Sequence, residues 1–153
     1  MRRERLFPAL IQLIILSIII VGAVSFVINK KRFIGPALIL LGFMPWIPLK
    51  AAGRSIHSVG ADTIFGAIDT GILAIAALIG ASFAGVLGAI VGGVVGDSIT
   101  DGLAGLFEGR VSEYLRDHGI DEARTPLSSS MGKMSGCLIG AGITLTVVWT
   151  IFS

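Results

Sequence analysis

The segment from Leu6 to Ile28 is an uninterrupted apolar run. At about 1.5 Å of rise per residue it is long enough to cross a hydrocarbon layer about 30 Å thick as one helix. Arg2, Arg3 and Arg5 precede it, and Lys30, Lys31 and Arg32 follow it. The run exceeds the apolar region of a signal peptide, and no small-residue cleavage site comes before the basic triplet, so it reads as a first transmembrane helix.

The rest of the chain has the same character. Of its 153 residues 54% are hydrophobic and only 14% charged, and the mean hydropathy is +0.90. That composition lies outside the soluble globular class and defines an all-α integral membrane protein. The net charge is +2, yet the basic residues are few and sit at segment ends. They act as orientation signals, and no nucleic-acid module is visible. The single cysteine, Cys137, has no second cysteine to pair with and reads as a small packing residue.

Five spans are predicted. After the first, Phe33 to Leu49 forms a run in which Pro36, Pro45 and Pro48 kink or break the helix near its end, with Trp46 and Lys50 as an interfacial anchor. The third span runs from about Asp62 to Ser82 and the fourth from about Val86 to Glu108, joined only by Phe83-Ala84-Gly85. So short a joint predicts a tight antiparallel helix hairpin over about 62–108. A polar linker of mixed charge covers 109–130, and Met131 to Phe152 is the fifth span. The domain reading is therefore two N-terminal helices in 1–60 and a three-helix core in 61–153. Of the 12 Lys and Arg residues, only Lys30, Lys31 and Arg32 fall on the side opposite the N-terminus. The positive-inside rule then places the N-terminus in the cytoplasm and the C-terminus outside. With no transit segment in view, a prokaryotic plasma membrane is expected.

The hairpin carries the chemistry. Asp69, Asp97, Asp101 and Glu108 stand among Gly, Ala, Val, Ile and Leu. An aspartate near the centre of a membrane helix costs about 2.5–3.5 kcal/mol unless something compensates it. Counted outward from Gly85, Asp69 matches Asp101 and Thr70 matches Thr100, while Asp97 lies one turn from Asp101. This predicts one cluster at one depth, with Glu108 at the cytoplasmic mouth. The acids could simply glue helices as neutral hydrogen-bonded groups, but Ser, Thr or Asn would do that more cheaply. With hydroxyls at Thr70, Ser98 and Thr100 they make an all-oxygen set, which suits hard cations rather than zinc or copper. Calcium takes six to eight oxygens, so carbonyls, water or a second subunit must complete the shell. Clustered carboxylates in an apolar setting stay ionised only with cations nearby, so ions and protons compete for them, which is the basis of exchange. A phospholipid headgroup-transferring enzyme is not indicated. Asp101-Gly102-Leu103-Ala104-Gly105 lacks the arginine and the downstream acids of that chemistry, so the chain is read as non-enzymatic.

Two ladders of small residues, Gly88, Gly92, Gly96 and Gly132, Gly136, Gly140, predict close helix packing within or between subunits. His57 and His118 lie in polar links and read as solvated.

From Gly66 onward the sequence resembles the transmembrane protein 65 family. Gly66-Ala67-Ile68-Asp69-Thr70 is similar to its Gly-Phe-Leu-Asp-Asn, and Gly96-Asp97-Ser98-Ile99-Thr100-Asp101 to its Gly-Asn-x-x-Ser-Asp. Leu103-Ala104-Gly105 resembles its Leu-Ala-Gly, and Leu127-Ser128-Ser129-Ser130-Met131-Gly132-Lys133 its Leu-Ser-Thr-His-Leu-Gly-Lys. Thr70 and Asp97 stand where the family has Asn, and Thr100 where it has Ser; Asp97 adds a charge. The family is associated with sodium-dependent calcium extrusion from mitochondria. The resemblance therefore implies sodium/calcium exchange or a component of it.

The sequence thus points to a five-helix membrane protein, a homodimer packed through glycine faces, that exchanges sodium or protons for calcium. Calcium and sodium are transported ligands, and no covalent cofactor is expected. A divalent-cation channel or uniporter would use the same carboxylates, and a non-transporting scaffold or regulator of another transporter would use none.

Overall fold

A computed structural model describes residues 6–118 and 125–151, and every regular element among them is helical. The elements are α1 (Leu6–Val27), α2 (Lys31–Leu41), α3 (Trp46–Ala51), a 3-10 turn (Ile56–Val59), α4 (Gly60–Asp117) and α5 (Pro126–Ile151). Among the described residues four stretches are long and apolar enough to cross a membrane: Leu6–Val27, Arg32–Ala51, Gly60–Phe107 and Pro126–Ile151. This is compatible with a membrane protein. The third stretch contains both the third and the fourth predicted spans. The chain divides into two compact units, one of Met1–Gly71 with Thr125–Ser153 and one of Ile72–Arg124.

In the first unit the predicted second span is two helices. α2 ends at Leu41, and the Gly42 N–H reaches back to the Leu38 carbonyl at 2.9 Å. Pro45, with no N–H to donate, stands at the N-cap of α3, and Gly53, at φ 72°, follows the end of that helix. α5 runs through the centre of this unit. Its buried Met131 and Leu127 join Ala9, Leu16 and Ile20 of α1 in an apolar core. On one face a methyl group at Gly132 would lie 2.8 Å from Asp62 Cβ, and one at Gly136 would run into the Thr63 carbonyl. Gly140 likewise faces the Ala67 backbone. On another face Gly142 meets Gly35 and Ile39 of α2, each at 2.8 Å from such a methyl. In a bilayer, where no water drives apolar association, such backbone-on-backbone approach supplies much of the packing energy. The Ser135 hydroxyl adds a 2.6 Å hydrogen bond to the Gly42 carbonyl.

In the second unit, Ile72–Arg124, the helical φ/ψ pattern fails at Ala84 (φ −139°, ψ 24°) and Gly85 (φ 57°, ψ −132°). An L side chain rarely adopts the Gly85 conformation. The break brings Gly80 and Gly88 into backbone contact and sets Gly92 against Ala76. A methyl at Gly96 would meet Ala76 Cβ at 2.8 Å. These contacts centre on Ala84. Counting from Gly85 would instead oppose Gly80 to Ile90 and Ala76 to Val94, so the register differs from the predicted one by two residues. The physical reason is size: Gly88 and Gly92 let the backbones touch, whereas Ile90 and Val94 would hold them apart. Both glycine ladders, then, are packed within the chain.

Candidate functional site

The second half of α4 presents Asp97, Ser98, Thr100 and Asp101 within just over one turn. Thr100 is 5% exposed. Its Oγ1 lies 3.1 Å from the Gly96 carbonyl and 3.0 Å from the Asp97 carbonyl, so the hydroxyl proton is shared between the two. Ser98, which is exposed, donates to the Val94 carbonyl at 2.8 Å. Both hydroxyls spend their proton on the helix backbone; the exposed Ser98 keeps oxygen lone pairs to offer an outside ligand, while Thr100 is buried and has a further partner. Asp97 is half-buried and Asp101 exposed, and at i and i+4 they share one helix face. A pair of carboxylates on an apolar helix, with hydroxyl lone pairs beside it, is a donor set for a hard cation.

The other predicted site residues are distributed differently. Asp69 and Thr70, both half-buried, belong to the first unit, and Asp69 has an interaction partner there or elsewhere in the structure. Glu108 lies on α4, but its side chain falls outside the described residues. Among the described residues, no group of three or more His, Cys, Asp and Glu side chains comes close enough to hold a metal ion. The equal count from Gly85 that matched Asp69 with Asp101 does not describe the pairing seen between Ile72 and Gly96.

Asp62 escaped the sequence reading, which used it only to mark the start of a span. It is 3% exposed in the first turn of α4, packed against Gly132, and it is partnered. Its position at a helix N-terminus suits an acid. Its burial depends on Gly132 lying opposite, which no local pattern reveals. Of the residues read as structural, Cys137 is a half-buried free thiol and Trp46 packs edge-on to Phe43 with centroids 5.0 Å apart. His118 Nδ1 lies 2.8 Å from the Tyr114 carbonyl in an exposed position, while the His57 side chain is outside the described residues.

The chain matches no protein-family model, no curated protein and no solved structure.

Proposed function

We propose that this chain is a membrane cation transporter, a sodium (or proton)/calcium antiporter, and not an enzyme. The observation that carries the proposal is the Asp97, Thr100 and Asp101 group on an apolar helix, with hydroxyl protons turned to the backbone and carboxylates left for an ion. Asp97 and Asp101 are the primary ligands, Ser98 and Thr100 assist, and Glu108 is the entrance residue, while Asp69 and Thr70 are ion-ligand candidates of the first unit by themselves. Calcium and sodium are cargo. Two carboxylates neutralise one calcium ion or two sodium ions or protons, so the same site serves either direction of exchange.

The proposed arrangement has five spans, with α4 forming a hairpin about Ala84 and Gly85, the N-terminus cytoplasmic and the C-terminus outside, in the plasma membrane. The resemblance to the transmembrane protein 65 family supports the choice of ions. The oxygen count of calcium favours a homodimer in which a second copy completes the shell. With both glycine ladders packed within the chain, the second copy meets other faces. The test is calcium-45 uptake by proteoliposomes of the purified chain. Uptake that requires an opposing sodium or proton gradient is expected. Equal uptake without any gradient would favour a channel, and no uptake would overturn transport.

A further inference from the structure

The first unit contains a cleft of about 330 Å³ lined by Arg32 and Pro36 of α2 and by Thr146, Trp149 and Thr150 of α5. That volume falls at the small end of ligand clefts, about 300–1,000 Å³. We propose that it binds the phosphate group of an anionic ligand, with Arg32 as the anchor and Trp149 as the wall.

Three observations support this assignment. First, Arg32 is exposed and, among the described residues, makes no ion pair or hydrogen bond. The obvious structural duty for an arginine here would be to cap the last carbonyls of α5, and it makes no such bond among them. The Thr150 hydroxyl serves the Thr146 carbonyl instead, at 2.6 Å, and the Thr146 hydroxyl serves the Gly142 carbonyl at 2.7 Å.

Second, the charge at this end of α2 is one-sided. Lys30, Lys31 and Arg32 are consecutive, and the sequence has no acid between Glu4 and Asp62. Lys30 lies 6.0 Å from the Phe26 ring, and neither Lys30 nor Arg32 makes an ion pair among the described residues. Third, the wall combines a large indole with a guanidinium. An indole suits the boundary between headgroups and hydrocarbon, and a guanidinium offers the two parallel N–H donors that match phosphate oxygens. A cationic ligand is repelled by the Arg32 guanidinium, and the two threonine hydroxyls, their protons committed to the helix, add no donor, so the guanidinium carries the recognition.

Such a phosphate could come from a phospholipid headgroup or from a soluble phosphate ester. The sequence has 2 tryptophans, so Trp46→Phe leaves Trp149 as the only indole in the full chain. In detergent micelles this protein is titrated with phosphatidylglycerol, with diacylglycerol of the same acyl chains, and with glycerol 3-phosphate, while Trp149 fluorescence is followed. The melting temperature of the chain with both indoles is read in parallel. Saturable binding of phosphatidylglycerol but not diacylglycerol is expected. Arg32→Gln should raise the midpoint about tenfold, with Arg32→Lys in between and Arg110→Gln, an exposed basic residue of the other unit, unchanged. Competition by glycerol 3-phosphate assigns the site to soluble esters, and its failure assigns it to lipid. The proposal is overturned if diacylglycerol titrates like phosphatidylglycerol, if neither phosphate compound binds, or if Arg32→Gln and Arg110→Gln behave alike.

Discussion

In the unit built around α5, glycines bring helices together and polar side chains are sealed in behind them. Gly132 admits Asp62 to a site only 3% exposed, and Ser135, fully buried, bonds to Gly42. In the unit Ile72–Arg124 the contacts of Gly80, Gly88 and Gly92 are backbone on backbone, and the acids lie beyond them. Asp97 is only half-buried and Asp101 is exposed. The same small residues thus permit polar groups that hold a fold in one unit and leave polar groups open to a ligand in the other. Substitutions that remove charge without changing shape separate the two cases.

The largest effect is expected from the second unit. Asp97→Asn with Asp101→Asn should lower sodium-driven calcium uptake at least tenfold, about 1.4 kcal/mol or more in barrier terms, with little change in melting temperature. Flux equal to the parent would remove these carboxylates from the ion path. Asp62→Asn is the counterpart in the first unit. It removes a buried, partnered carboxylate and should cost about 1.5–3 kcal/mol of stability, seen as a lower melting temperature in detergent. If it left stability intact and abolished flux, the division of roles between the units would be wrong.

Packing comes next. Gly136→Ala drives a methyl into the Thr63 carbonyl and should cost about 1–3 kcal/mol. Gly22→Ala, with nothing within 4 Å of the new methyl, should be neutral or stabilising by up to about 1 kcal/mol. A thermal melt of both variants decides it; equal melting temperatures would deny that the ladder of α5 carries the packing.

Much of this was legible in the sequence. Apolar runs located the helices because hydrocarbon demands continuous apolar length, and Pro45 and Pro48 announced the break that separates α2 from α3. The glycine spacing announced close packing. The partners of each ladder were not legible, since spacing defines a face and leaves open what covers it. The register about Ala84 was missed because the count was taken from Gly85, at one end of the Phe83-Ala84-Gly85 joint, whereas the contacts centre on Ala84. Asp62 was missed because its burial is created by Gly132, far along the chain. Of the acids, Asp97 and Asp101 were readable as a pair because four residues make one turn; Asp69 could be tied to them only through a register that the sequence does not determine.

The smallest expected effect compares two serines. Ser135 donates across helices to Gly42 at 2.6 Å in a fully buried setting, so Ser135→Ala leaves a buried carbonyl short of one partner. That should cost about 1 kcal/mol, a shift of a few degrees in melting temperature. Ser98 also donates to a carbonyl, that of Val94, but this carbonyl is in its own helix and the side chain is exposed. The carbonyl of Val94 lies within α4, where the helix ladder supplies a donor in any case, so Ser98→Ala should change stability by less than about 0.5 kcal/mol. Its effect belongs in transport, as a weaker apparent affinity for calcium at unchanged melting temperature. A loss of stability equal to that of Ser135→Ala, with calcium affinity intact, would make Ser98 a structural residue and leave the carboxylates as the only ligands in that turn.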